Sequence, residues 1–361
     1  MKLMEQFAKI MAVSGADEIM LPEVMPARPF LEAAGEYLGA RMVFLEGVGE
    51  VRRCLTPDLT IASCLARLDV ANEDPSGRFY YTGTIFREPS QVQNLVDQRQ
   101  EIGMELLGEA ASAEVHLGIC DLWWRLLPRE KTRDMRVITD DLTLFSHLLH
   151  HMSLPQPLCE RLLAAYNRPR QLRRLIADGM QPKPSAHLTI AKMAVSLGED
   201  QGRVFLADWV SQEAQDMLVG RTAEEIIDRL WLLGEVEATG GLKPTQQDCL
   251  LSYLSLECPI TELGASLHAR NIDIDDQFAE QMKEYQDQAQ QLPWAAEQLL
   301  FQPAGTERMD YYSGFSFYAV DRQQQRYFAG GRYDNLIAQL GGPDLPAYGG
   351  SMRLDLWEDE I

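Results

Sequence analysis

Eight side chains in this 361-residue sequence have the types needed to bind a small polar molecule: Asp58, Arg87, Glu101, Glu105, Tyr311, Tyr312, Arg332 and Tyr333. The carboxylates can hold a cationic nitrogen. The guanidiniums can meet a carboxylate with two parallel hydrogen bonds, and the tyrosines offer hydroxyls and an aromatic wall. Each type also has a plainer reading. Acids in a chain this acidic can simply be solvated at strand edges, Arg87 and Arg332 can be their ion-pair partners, and the tyrosines can be core.

Other clusters invite chemistry and point to it less firmly. His147, His150 and His151 recur at helical spacing, but no nearby acid or cysteine completes a metal site, so no metal is expected. Arg168, Arg170, Arg173 and Arg174 read as a solvated helix face or a partner contact. Gly330-Gly331 reads as a tight turn of a strand, since no helix-opening G-x-G-x-x-G follows. Trp123-Trp124 reads as one core and one surface aromatic.

The elements that position these residues follow from periodicity and punctuation. Helices are expected over residues 1–12, 29–38 and 112–127, and another from about Asp58, where Thr56-Pro57-Asp58 supplies helix-start chemistry. Strands are expected at Arg41–Leu45, Phe79–Phe86 and Glu101–Leu107, the last two as an antiparallel pair around a polar loop, Glu88–Arg99. Helical periodicity dominates 141–260, with breaks at Asn167–Gln171, Gln181–Ser185 and Gly240–Pro244. Extended character returns at Gln298–Gln302, Asp310–Val320, Arg326–Gly330 and Ala347–Leu356. Strands at both ends with helices between predict an α+β fold whose sheet is built from both ends of the chain.

The chain has 33 Lys and Arg against 54 Asp and Glu, a formal net charge of −21. Such a surface repels phosphate backbones and anionic membranes at long range, so neither nucleic acid nor membrane is an expected partner. No signal peptide and no membrane-spanning apolar run is read. The six cysteines are scattered without a C-x-x-C pair and read as reduced, mostly buried thiols, and a cytoplasmic location is expected.

The segments 16–22, 55–60, 79–108, 307–336 and 347–356 occur in the order and spacing of the class II aminoacyl-tRNA synthetase core, and the chain resembles histidyl-tRNA synthetase most. Gly15–Pro22 resembles motif 1, the dimer-forming helix–strand element of that family. Leu55–Thr60 resembles the segment whose acid holds the amino group of histidine, and Tyr80–Arg87 with Gln100–Gly108 resembles motif 2. Asp310–Gly314 with Phe317, and Ala329–Leu336, resemble the two histidine signatures, and Tyr348–Leu356 resembles motif 3. The resemblance implies an antiparallel sheet flanked by helices. It implies a core from 1–140 and 261–361 and a mainly helical insertion at 141–260.

The departures fall on the groups that grip ATP in that family. Pro89 stands where motif 2 has a glutamate, and Asp97 occupies the region of a phosphate-facing base. Motif 3 ends Arg353-Leu354-Asp355-Leu356 in place of Gly-Leu-Glu-Arg, and Glu307 stands where an arginine opens the first histidine signature, with Arg308 one place off. Losing one preorganised donor costs about 2–4 kcal/mol of transition-state stabilisation, so several together are expected to leave no catalysis, no catalytic residues and no cofactor. No anticodon-binding domain is expected after Leu356.

The histidine-holding half is better kept. Asp58 and Glu105 suit the ammonium or ring of histidine, the tyrosines its imidazole, and Arg87 or Arg332 its carboxylate; Glu101 replaces a usual glutamine. A core of this kind resembles the regulatory-subunit family of short-form ATP phosphoribosyltransferase. That resemblance implies a non-catalytic subunit that joins short catalytic subunits in a hetero-octamer, with self-association as a homodimer. It would activate them and mediate histidine feedback in the first step of histidine biosynthesis. Two other readings stay open: a divergent amino-acid-activating ligase, and a degenerate metabolite-sensing paralogue.

Overall fold

The computed structural model describes residues 3–47, 51–70, 74–88, 97–213, 222–305 and 309–356. Two long strands dominate: β5, Gly77–Arg87, and β6, Asp97–Leu107, after the short β1 (Asp17–Glu18), β2 (Val24–Pro26), β3 (Phe44–Leu45) and β4 (Arg53–Leu55). β7 is Arg136–Asp141, β8 Cys258–Pro259, β9 Leu299–Phe301, β10 Phe315–Val320, β11 Arg326–Arg332 and β12 Ala347–Arg353. Nine of them form one sheet in the order β1-β5-β6-β12-β11-β10-β7-β9-β8. Among the described residues, only β1/β5 and β7/β9 pair in parallel. The strands before residue 142 meet those after residue 257, as the α+β reading requires. β2, β4 and β3 make a second, three-stranded sheet.

The pleat of β6 sorts the two faces of the large sheet. Ile102, Met104 and Leu106 enter one core with Phe7 of the helix Leu3–Ser14 and with Leu117 and Trp123 of the helix Ala113–Leu126. The alternate residues Gly103, Glu105 and Leu107 face the other way. There the helix Leu59–Val70 packs, with Ile61 and Cys64 beside Phe30, Tyr311 and Tyr333 in a second core. Between β7 and β9 the chain is mainly helical from Leu142 to Ala289, broken by β8. Three of these helices, Ala186–Ser196, Glu199–Glu213 and Ala223–Thr239, share a small core of their own around Leu206, Leu230 and Trp231. The last of them starts on a Thr222/Glu225 capping box and stops at Gly240 in the left-handed region.

Several boundaries differ from expectation, each for a local reason. The expected strand Arg41–Leu45 shrinks to Phe44–Leu45, with a lone bridge from Met42 to Arg87. Asp97 to Arg99 pair with Arg87 to Ile85 and so belong to β6 rather than to a loop; residues 89–96, including the Pro89 position, lie outside the described residues. Pro169 sits at the first turn of the helix Pro169–Ala177, where its missing N–H costs nothing, so the expected break there is shorter. Asp310 to Gly314 turn before β10 begins at Phe315, although their aromatic content suggested a strand. β12 ends at Arg353. Trp124 is buried, not a surface residue: its ring stacks on Trp294, 4.4 Å away.

Five of the six cysteines are buried and Cys249 is half-buried, all as free thiols. No helix among the described residues is long and apolar enough to cross a membrane.

Phe7 joins the first helix to the sheet, with its ring 5.9 Å from Trp123 and 5.8 Å from Tyr80. Phe7→Ala is expected to lower the free energy of unfolding by about 3–5 kcal/mol. Urea denaturation followed by far-ultraviolet circular dichroism measures it, with the slope against urea unchanged.

Candidate functional site

The site is built around Asp58. Thr56 anchors the segment through its hydroxyl to the Pro22 carbonyl at 2.7 Å. Asp58 then caps the helix Leu59–Val70, its Oδ1 accepting the Ile61 N–H at 3.0 Å. That leaves Oδ2 for tertiary partners: the Tyr311 hydroxyl at 3.2 Å and Arg87 Nη2 at 3.5 Å. Arg87 is held in turn by its Nε, which donates to the Pro57 carbonyl at 2.7 Å. Burial pushes the Asp58 carboxyl above its ordinary range, against the pull of Arg87, so this acid lacks full cationic compensation.

A cavity of about 140 Å³ opens beside Asp58 over the sheet face that carries Glu101. Of the expected residues, Asp58, Arg87, Glu101, Tyr311 and Tyr312 line it. Glu101 accepts the Ser351 hydroxyl at 2.7 Å from β12.

Glu105 and Tyr333 do not line the cavity. They lie beneath it in a buried cluster: Glu105, 1% exposed, accepts hydrogen bonds from Tyr81 at 2.7 Å and from Tyr333. A side chain at Gly349 would overlap the Glu105 carboxylate, and one at Gly103 would overlap the Tyr81 ring, so two glycines make the room. Burial raises the Glu105 carboxyl to about 8, although both tyrosine hydrogen bonds pull it down.

Arg332 is a correction of the opposite kind. β11 runs two residues longer than expected, and on the pleat Arg332 falls opposite Tyr348, on the other face of the sheet from the cavity. There it pairs with Asp334 and lines a separate cavity with His116 and Tyr285. His116 bonds the Tyr285 and Tyr348 hydroxyls at 2.8 Å each, and burial holds its ring neutral, down at about 3.

The structure adds three arginines that sequence reasoning did not place: Arg99, Arg326 and Arg353 line the same cavity as Arg87. Alternation along β6 carries the signal for the first, since 97, 99, 101, 103 and 105 share a face. The register carries the signal for another, since Arg353 lies opposite Glu101. Most of these cations are already matched. Arg99 pairs with Asp97 at 2.9 Å, Arg353 with Asp355, and Arg87 with Asp58. Arg326 lies over the Tyr318 ring at 4.8 Å. Burial, with Arg87 nearby, lowers the Arg99 guanidinium from its usual range.

Several residues of the remaining clusters have structural partners. His151 pairs with Asp273 at 3.2 Å, and among the described residues no group of three or more His, Cys, Asp or Glu is placed to hold a metal ion. Arg173 donates to the Ala304 and Leu254 carbonyls, and Arg168 pairs with Asp310 at 2.7 Å, so half of that arginine cluster ties elements together. Positions Glu307 and Arg308 lie outside the described residues.

The family model described as histidyl-tRNA synthetase matches residues 1–204 and 232–356. A protein of Agrobacterium fabrum named ATP phosphoribosyltransferase regulatory subunit is 29% identical over 370 residues, covering 98% of this chain and 94% of that one. One of the same name from Rhizobium johnstonii is 29% identical over 360 residues, with 96% and 93% covered. Among solved structures, an ATP phosphoribosyltransferase regulatory subunit/histidyl-tRNA synthetase from Bacillus halodurans superposes with a TM-score of 0.62 at 18% identity, covering 98% of this chain and 76% of that one. Histidyl-tRNA synthetase from Nostoc gives 0.55 at 13% identity, with 98% and 69% covered. At these identities the structural likeness speaks for the fold.

The buried carboxyl sets a pH dependence. Glu105 has a folded value near 8 against an ordinary 4.5, so the folded state binds the extra proton. Its contribution to stability is whole below pH 4.5 and is lost as pH rises through 8. Unfolding titrations from pH 4.5 to 8.5 are expected to show wild type losing stability relative to Glu105→Gln as pH rises. Parallel curves would show that Glu105 does not titrate in this window.

Proposed function

The chain belongs to the histidyl-tRNA synthetase family, and from that premise we propose that it works without catalysis of its own, as the regulatory subunit of a short-form ATP phosphoribosyltransferase. It joins the catalytic subunit, raises its activity and carries histidine feedback to it. The name borne by relatives along nearly their whole length supports the assembly role.

The observation that carries the non-catalytic reading is the pairing of the cavity's cations. Adenylation needs positive groups free to stabilise charge developing on phosphate. Here Arg99 and Arg353 each hold a carboxylate, Arg87 is tied by its Nε to the Pro57 carbonyl with Asp58 at 3.5 Å, and Leu356 stands at the motif 3 position. A triphosphate entering the cavity meets Asp58, Glu101 and, behind the arginines, Asp97 and Asp355. The cavity, about 140 Å³, suits one amino acid better than a nucleotide.

The amino-acid end supports the histidine reading. An arriving ammonium gives Asp58 the cation that its burial calls for, and Arg87 is within reach of the ligand carboxylate. Tyr311 and Tyr312, ring centroids 5.0 Å apart, supply the wall. A route outward exists beside them: Asp310, next to Tyr311, is bonded to Arg168 at the start of a helix in the central helical stretch. Occupancy that shifts Tyr311 therefore bears on a bond to those helices. Feedback requires histidine to bind the less active state more tightly, typically by about 1–3 kcal/mol.

The test is to mix the chain with a short-form catalytic subunit, follow phosphoribosyl-ATP formation with and without histidine, and size the mixture by light scattering. The expected result is a larger complex, a higher rate and inhibition by histidine. Asp58→Asn should leave assembly intact and weaken inhibition about 10- to 100-fold, the range for one hydrogen bond to a charged group. No change in rate or size would overturn the proposal, and amino-acid-dependent pyrophosphate exchange would put a ligase in its place.

A further inference from the structure

A second cavity, of about 360 Å³, lies in the helical stretch between the helices Gln156–Ala165, Pro169–Ala177, Ala186–Ser196 and Ala223–Thr239. That volume is within the range of small-molecule sites. Its walls are alanine, leucine and isoleucine side chains, Leu230 and Leu233 among them. Its polar groups are Arg161, Arg168, Arg229, His187 and one glutamine, and among the described residues no carboxylate lines it. That is unusual in a chain where acids outnumber bases by 54 to 33.

Arg161 is the telling residue. Its Nη1 is buried and has no hydrogen-bond partner among the described residues. Burial alone lowers its guanidinium from the usual range. Arg161 as a whole is half-buried, but an arginine cannot shed its charge by giving up its proton, and a desolvated guanidinium N–H without an acceptor carries a cost. Arg168 contrasts with it, since Asp310 holds it at 2.7 Å. Arg161 also lines a smaller cavity of about 220 Å³, with Lys183 and an Arg174 that sits 3.9 Å from Asp178. Asp178 lines that smaller cavity as well, so the lining without a carboxylate is that of the larger one.

We propose that the larger cavity binds a small organic oxyanion with an apolar body, a carboxylate or a phosphate monoester, whose oxygens meet Arg161 while its hydrocarbon or ring lies on the leucine walls. The arginine fork matches either oxyanion with two hydrogen bonds. The site is separate from the cavity on the sheet and does not depend on the regulatory reading.

Isothermal titration of the full chain with hexanoate, phenyl phosphate and the neutral 1-hexanol tests it. Saturable binding of at least one anion is expected, with hexanol at least ten-fold weaker. The two anions separate carboxylate from phosphate preference. Arg161→Met is expected to weaken the anion at least ten-fold without lowering the melting temperature, because the charge it removes has no partner; Arg161→Gln serves if the first variant does not fold. Absence of saturable binding by both anions, hexanol binding as tightly as they do, or unchanged affinity in the Arg161 variant would each overturn the proposal.

Discussion

A carboxylate with no access to water has to be held by its neighbours, and Glu105 is that constraint here. It sits on β6 and is bonded to Tyr81 on β5 and to Tyr333 just past β11, under the backbone of β12 at Gly349. Four stretches of chain therefore have to be in register for one acid to be satisfied. The cavity floor is the upper surface of that cluster, and Tyr81 belongs to both. Glycine at 103 and 349 is the steric condition for it, since either Cβ would occupy space that the cluster uses.

Above the floor, the balance of charge decides what the cavity can do. Four arginines line it, which on count alone suggests phosphate chemistry. Their partners suggest otherwise. A guanidinium already paired with a carboxylate must lose that pair before it serves a phosphate, and the displaced carboxylate then repels the newcomer. Asp58 is the reverse case: an acid with a distant arginine at 3.5 Å and a raised carboxyl has a use for one more cation. That balance of charge is the electrostatic basis of the proposed effector role.

Much of this was legible in the sequence because the signals were local. The aromatic and β-branched runs of β5 and β10, the Asp58 helix start and the glycine stop at Gly240 each follow from a few adjacent residues. Asp58, Arg87, Glu101, Tyr311 and Tyr312 converge on one cavity although more than 250 positions separate Asp58 from Tyr311. What local signals do not carry is phase and distant cover. Two extra residues on β11 place Arg332 on the opposite face, and Trp124 is buried by Trp294, far along the chain. Tyr311 and Tyr312 look like strand residues, yet the chain must leave the sheet there for the Tyr311 hydroxyl to reach Asp58.

Arg99 shows how that gap closes. Taken as part of a loop, it has no predictable direction. Once Arg87 pairs with Asp97, β6 begins at Asp97, and alternation fixes Arg99, Glu101 and Glu105 on one face. β12 then adds Arg353 opposite Glu101. One register, set where the two long strands first meet, therefore brings the paired arginines over the cavity and the buried acid beneath it. A slip of a single residue would exchange Glu105 for Leu106 under Gly349 and turn both features to the wrong face. The register that satisfies the buried acid is the same one that assembles the cavity, so one arrangement of strands meets both conditions.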